Sequence, residues 1–370
     1  MKITILKKNL KDGLNLIGAA VSEDNNLPIL KHILLKTVNN KLQICATNLQ
    51  LAISTVVSGK IVEEGAVAVP FTTFNGVIGG SGSERVDIEV KNNTVLIKTD
   101  NYDAKIQGLP ESDFPTIPKI EKLTGHLVIN SQLLIDSLAK TSYAVQMSEI
   151  RPELNGVFIN FQPAVVKMAA TDSFRLLEKT IYDSHFKSNV KNAWKLIIPI
   201  KTAQEISRIF GGDVEVEMFF DGNQVLVKNS ETELVSHVVD GSYPDYEQII
   251  PKATETEISL QKNDLIQALK LVSNFSSKIN DIHLRLKDDK KVLEVYSANQ
   301  YLGENNYLIP VKTKGNGFTD ISFNWKYLLD GLKTIKTENL ILGFNGESKP
   351  AIMKCPEDSS CFYIVMPIKV

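Results

Sequence analysis

Aromatic side chains make up only 7% of this 370-residue chain, and histidine and cysteine are scarcer still, at five and three. The histidines (His32, His126, His185, His237 and His283) are dispersed, with no HxxxH or HExxH spacing, so no metal-ligand cluster emerges. Cys45, Cys355 and Cys361 are an odd number without metal-ligand spacing. They argue against a disulfide framework and for structural thiols in a reducing cytoplasm. No apolar run approaches a bilayer span. The start, MKITILKKNLKDG, is too charged and too short in its apolar part for a signal peptide, so no membrane partner is expected. A phosphate-binding loop is missing too, because Gly79-Gly80 and Gly211-Gly212 lack the following Lys-Ser/Thr. No G-x-S-x-G elbow occurs, and GGSGSE at Gly79 to Glu84 has the composition of a flexible turn. Nor is there an excess of one charge: 41 basic against 43 acidic residues leave −2. Bulk charge therefore decides nothing about a polyanionic partner, and any basic surface must be local.

What is present is repetition. CATNLQLAI (Cys45 to Ile53), AATDSFRLL (Ala169 to Leu177) and YSANQYLGE (Tyr296 to Glu304) each follow an alternating strand and precede another. Asn48, Asp172 and Asn299 fall where a tight turn is needed, a position their side chains suit. Helical spacing recurs at Lys8 to Val21, Ser131 to Val145 and Gln261 to Phe275. In the second of these, Leu134, Leu138 and Ala139 are expected on one face, with Ser131 as N-cap. A second helix is predicted in each third, at PFTTFNGVIGG, PIKTAQEISRIFGG and NWKYLLDGLKTI, the first two ending at Gly-Gly. Hairpins follow, turning at Asn92-Asn93, Asp221-Gly222 and Asn345-Gly346. The unit is about 120 to 130 residues, written three times, with two helices and many strands in each. The expected domains are 1–121, 122–251 and 252–370.

Two Pro-rich phrases, QGLPESDFPTIP (Gln107 to Pro118) and DGSYPDYEQIIP (Asp240 to Pro251), close the first and second repeats. They are expected to be connectors, in which Pro limits flexibility and ends strand pairing. Cations recur on the helices: Lys7 and Lys11 on the first, Lys201 and Arg208 opposite Ala203, Ile206 and Ile209-Phe210, and Lys326 with Lys333. A solvated face accounts for any one of them. Three together suit sequence-independent phosphate contact. No carboxylate pair stands out among the acidic residues, so three copies of one fold without a divergent polar cluster favour a scaffold over an enzyme. A hydrolase on repeated β-rich domains would need a carboxylate pair in a cleft, and a secreted repeat protein would need a signal sequence.

LPIL (Leu27 to Leu30), ELNGV (Glu153 to Val157), AATDSFRL (Ala169 to Leu176), YPDYEQIIP (Tyr243 to Pro251) and the terminal VMPIKV occur in an order and spacing that carry a resemblance. Over its whole length the chain resembles the bacterial sliding clamps, the beta subunit of DNA polymerase III. The resemblance implies an α+β fold of three repeated clamp domains, each with two helices packed on antiparallel sheets. It also implies a head-to-tail homodimeric ring around duplex DNA, held without regard to sequence. It implies no catalysis, cofactor or metal. The implied partners are the replicative polymerase alpha subunit, an ATP-driven clamp loader, and other DNA polymerases and repair proteins carrying clamp-binding peptides.

By the same resemblance, a partner-peptide pocket would take Leu154, Thr171, Ser173, Phe174, Arg175 and Leu176 from the second repeat, and Pro244, Gln248 and Ile249 from its connector. Ser348, Pro350, Ile364, Val365, Met366, Pro367 and Ile368 would complete it. Apolar area, an adaptable methionine and a polar arginine rim suit such a ligand. DNA contact would fall to Lys201 and Arg208, and the subunit interface to Ile106, Leu271 and Val272. The chain departs from the family pattern at Ser173-Phe174, where Gly-His is usual, at the acidic loop with Glu23 and Asp24, and at PFTTF, which lacks the usual cation.

Overall fold

The computed structural model describes residues 1–369 except 23, 25, 121–123 and 288. Glu23 and the expected repeat boundary at 121/122 lie outside the described residues. Each predicted helix forms: α1 (Lys7–Ile17), α2 (Phe71–Gly80), α3 (Ser131–Ser142), α4 (Ile200–Ile209), α5 (Lys262–Val272) and α6 (Trp325–Thr334). The three Asn/Asp turns also form. Asn48 Oδ1 accepts from the amides of Gln50 and Leu51, Asp172 Oδ1 from those of Phe174 and Arg175, and Asn299 Oδ1 from that of Tyr301. Asn92 and Asn93 take φ of 50° and 61°, the two left-handed positions that a two-residue hairpin requires.

Two local expectations are corrected. The N-cap of α3 is Asn130, whose Oδ1 accepts from the amides of Gln132 and Leu133, while the Ser131 hydroxyl donates to Gly212. Ala139 is exposed, and the buried stripe of α3 runs through Ser131, Leu134, Ser137, Leu138 and Thr141. Small hydroxyl side chains bond back to the helix carbonyls, as Thr141 does to Ser137, which lets them occupy a buried face. Helix α2 ends at Gly79-Gly80, as expected.

The chain forms two compact units, and they do not follow the sequence repeats. The first comprises Met1–Ile135, Phe186–Lys191 and Gln204–Val238. In it a five-stranded sheet ends at the strand Asp103–Gln107, and a nine-stranded sheet carries strands of both the first and the middle repeat. The join is the antiparallel pair Leu51–Val57 with Thr232–His237, in register at Ile53 opposite Leu234. Helix α1 lies close on that sheet because Gly13 has no side chain: a Cβ there would come within 2.8 Å of Val57 Cγ1.

The second unit comprises Asp136–His185, Asn192–Ala203 and Val239–Val370. It repeats the device. Strand Arg175–Tyr182 of the middle repeat pairs with Cys361–Val365 of the last, Leu176 opposite Ile364, inside another nine-stranded sheet. A four-stranded sheet and helices α5 and α6 enclose a core that includes Leu265, Leu269, Phe323, Leu328, Leu332 and Tyr363. Helix α6 seats on strand Cys361–Val365 through Gly331, where a Cβ would fall 2.6 Å from the Tyr363 ring.

The connectors are pinned, not loose. Phe114 is buried with Leu34, Cys45 and Ala68, and Tyr246 with Phe158, Leu176 and Ile364. The aromatic residues of the two Pro-rich phrases are anchors on the sheet that precedes each connector.

Candidate functional site

The expected pocket residues all belong to the second unit, and one tight turn organises them. Strands Val165–Thr171 and Arg175–Tyr182 are joined through Asp172, Ser173 and Phe174, with Ser173 at φ 77°. The turn is drawn tight by Asp172 and closed by the Thr171 hydroxyl, which donates to Arg175 O at 2.6 Å. Such a turn pushes the Phe174 ring outward, and Phe174 is 57% exposed. Arg151 Nη1 donates to the Ser173 hydroxyl at 2.9 Å, tying the segment that bears Leu154 to the turn.

Arg175 is the hub. Its Nε donates to Asp172 Oδ2 at 2.9 Å and its Nη1 to Asp330 Oδ2, on α6, at 2.6 Å. The guanidinium also lies over the Tyr327 ring, 4.5 Å from its centroid, and Phe174 stacks on the same ring at 6.5 Å. A planar fork can serve two carboxylates and one aromatic face at once, which an ammonium could not. Burial alone would lower the arginine's pKa, but Tyr363, Asp330 and Asp172 outweigh it and raise it.

The floor is apolar. Leu154, Leu176, Ile364 and Val365 are buried. Tyr243 stacks on Phe158 at 4.6 Å, and the Tyr246 hydroxyl donates to the buried Glu178 at 2.7 Å. Burial first, then Glu178, pushes the Tyr246 phenol well above its usual range, so it stays a donor. These anchors fix Pro244, which is half-buried, and leave Gln248 and Ile249 exposed on the turn Tyr246–Ile249. Ala351 opposite Val365 brings Pro350 beside the start of the tail, with Ser348 exposed in the preceding loop.

The tail itself is held in place. The Met366 amide donates to Phe174 O and the Ile368 amide to Ser322 O, each at 2.8 Å, and Met366, Pro367 and Ile368 are all half-buried. Arg151, Tyr243, Tyr327 and Asp330 also belong to the site but were not anticipated. Tyr327 and Asp330 lie in the third repeat with no motif around them, so only tertiary packing reveals them.

The cations and the expected interface residues fare differently. Lys201 is exposed, whereas the Arg208 guanidinium is already engaged by Glu205 Oε2 and the carbonyls of Asn15 and Leu16 at the C-terminal end of α1. There it satisfies carbonyls that a helix end leaves open. Ala203, Ile206, Ile209 and Phe210 are buried, as the helical spacing requires. Val272 belongs to the core of its own chain, and Ile106 is only 6% exposed. Leu271 alone of the three presents its side chain, at 48%. The family resemblance names Leu271 and Val272 together, but adjacent helical positions point about 100° apart.

Three family models match in succession: the N-terminal, central and C-terminal domains of the DNA polymerase III beta subunit, over residues 1–118, 128–245 and 247–369. The chain belongs to the DNA polymerase III beta subunit family. Among its relatives, the beta sliding clamp of Staphylococcus aureus is 27% identical, with 100% of this chain and 99% of that one covered. That of Synechococcus elongatus is 24% identical, with both covered completely. The DNA polymerase sliding clamp of Bacillus subtilis superposes with a TM-score of 0.93 at 25% identity, covering 100% of this chain and 99% of that one. A Pseudomonas aeruginosa clamp solved with bound griselimycin gives 0.94 at 24% identity, with both chains covered completely. As a beta subunit the chain is a non-catalytic DNA sliding clamp that serves polymerase processivity. Among the described residues, no helix is long and apolar enough to cross a membrane.

Arg175→Ala should destabilise the fold by about 3–5 kcal/mol, because Asp172, with 1% of its side chain exposed, would lose its buried partner. Lys187→Ala, which breaks an exposed pair with Glu215, should cost no more than about 1 kcal/mol. Urea unfolding midpoints of the two variants measure the contrast.

Proposed function

We propose that the turn at Asp172–Arg175, the connector at Pro244–Ile249 and the tail at Met366–Ile368 form the surface on which this clamp holds its partners. The carrying observation is an exposed apolar rim over a buried apolar floor, with Phe174 at 57% and Ile249 at 43% exposure above Leu176 and Ile364 at 0%. A short extended peptide with two or three apolar side chains fits that chemistry, since such sites are mostly apolar with a few orienting polar groups. Phe174 makes this rim apolar and aromatic. The partners are the replicative polymerase, the clamp loader that opens the ring using ATP bound elsewhere, and other DNA polymerases and repair proteins with the same kind of peptide.

The clamp works as a head-to-tail homodimer of three domains per chain, at 1–121, 122–251 and 252–370, enclosing duplex DNA in the cytoplasm. Two features support the assembly. Among the described residues, the strand Asp103–Gln107 ends its sheet with one main-chain edge unpaired, and Leu271 presents an aliphatic side chain from α5. An unpaired edge is a ready template for another chain. A repeated head-to-tail contact closes when the rotation permits. Ile106 and Val272 support the interface from beneath, as packing for the strand and helix that meet it. DNA contact rests on exposed Lys201, because the Arg208 guanidinium has its acceptors within the fold. Tethering by enclosure needs little affinity, which agrees with a near-neutral net charge of −2.

Light scattering should give twice the 41.1 kDa chain mass, and Leu271→Asp should reduce it to the monomer value. A dimer that survives the substitution would misplace the interface. Ending the chain at Val365 should remove binding of a labelled Gln-Leu-x-Leu-Phe peptide, read by fluorescence anisotropy. Each lost aliphatic anchor is worth about 1–3 kcal/mol, enough together to carry a micromolar affinity beyond detection. Unchanged affinity in the shortened chain would contradict the assignment of this surface.

A further inference from the structure

Away from this surface, two thiols flank the last rung of a strand pair. Strands Ala351–Lys354 and Cys361–Val365 run antiparallel, and their pairing ends with Lys354 opposite Phe362; Cys355 follows Lys354 and Cys361 precedes Phe362, so the register carried one rung further would set the two cysteines opposite each other. Directly opposed residues in an antiparallel pair have Cα atoms about 4.5–5.5 Å apart. A disulfide spans about 4.4–6.8 Å. The two side chains also share a face. Met353, Cys361 and Tyr363 lie in one core and Cys355 packs against it, whereas the alternate residues Ile352 and Ile364 lie in another cluster. Both cysteines line one cavity of about 280 Å³, with Lys140, Thr337 and Asp358 among its walls. Cys355 is half-buried, its Sγ 3.2 Å from the Thr337 hydroxyl; Cys361 is 9% exposed, and both are free thiols.

We propose that Cys355 and Cys361 are a peroxide-responsive dithiol that closes a disulfide across this hairpin. The Cys355 thiolate attacks a peroxide oxygen and the O–O bond breaks; with hydrogen peroxide the leaving hydroxide takes up the proton the thiol released, so a sulfenic acid and one water result. The Cys361 sulfur then displaces hydroxide from the sulfenic sulfur. The S–S bond forms, and the hydroxide takes the Cys361 proton and leaves as a second water. Two electrons pass from the dithiol to the peroxide, and an external dithiol returns them. Access assigns the order: Cys355 opens to the cavity, whereas burial pushes the Cys361 thiol up to about 11, which suits the second, resolving step. The bond would staple the loop 356–360 at its base, in the hairpin whose second strand leads into the tail. Cys45 offers an internal comparison. It is 3% exposed, burial holds its thiol up at about 12, and it sits in the other compact unit.

Lys354 and Lys369 place both cysteines in one tryptic peptide, 355–369. After brief exposure of the intact protein to hydrogen peroxide, then alkylation in denaturant, that peptide should be two hydrogens lighter and unalkylated. Dithiothreitol should restore alkylation at both positions, while Cys45 stays alkylated throughout. In Cys361→Ser, Cys355 should be trapped as a sulfenic acid by a dimedone reagent. Two alkylated cysteines in peptide 355–369 after a tenfold peroxide excess would overturn the proposal. So would Cys355 halting as an oxyacid in the unmutated chain. Neither readout involves a partner peptide, so this test and that of the partner surface fail independently.

Discussion

Main-chain pairing between strands of different repeats is the constraint on which the rest depends. Strand Arg175–Tyr182 meets Cys361–Val365, residues nearly two hundred positions apart in sequence, and Leu176 faces Ile364. A slip of one residue would turn every side chain on the strand to the other face. Register here therefore decides whether Arg175 reaches Asp330 and whether Phe174 lies against Tyr327. It also sets where the tail emerges, since Met366 follows directly and donates its amide to Phe174 O. The join at Leu51–Val57 and Thr232–His237 is its counterpart in the first unit. Each sheet of the middle repeat is thereby continued by a neighbouring repeat, which closes one edge of each.

Charge is used locally. Arg175 and Arg208 both spend their guanidinium groups on the fold, one on two carboxylates and the other on the carbonyls that end α1. Lys7 likewise donates to the Ser81 carbonyl. A count of cations on helix faces therefore overstates the charge free to meet a polyanion. Enclosure offsets that shortage, because a ring need not bind tightly what it already surrounds.

Much of this was legible in the residues, and what was not shares one cause. Asn48, Asp172 and Asn299 announce their turns because an Asx side chain bonds amides two and three residues on, a purely local act. The six helices follow from apolar spacing and nearby Pro, Gly or Asn signals. Ser131 is the expected cap of α3, but Asn130 caps it, because the Ser131 hydroxyl is engaged by Gly212, far along the chain. The resemblance points to Leu271 and Val272 as a pair, but which of the two faces inward is decided by how the helix packs on its own core. Tyr327 and Asp330 stayed hidden because their role exists only once α6 seats Gly331 against Tyr363. The aromatic-Pro phrases were recognisable as connectors; that their aromatic rings are anchors needed the packed sheet to show it.

Topological retention tests the central claim most directly. The protein, labelled and loaded by its clamp loader onto nicked circular duplex, would be separated from free protein by gel filtration and the circle then cut once. A closed clamp stays with the circle, survives raised salt that screens surface charge, and leaves when the cut gives it an end to slide from. Equal retention on circular and cut DNA, or tight binding to a short duplex without loading, would contradict enclosure as the basis of its function.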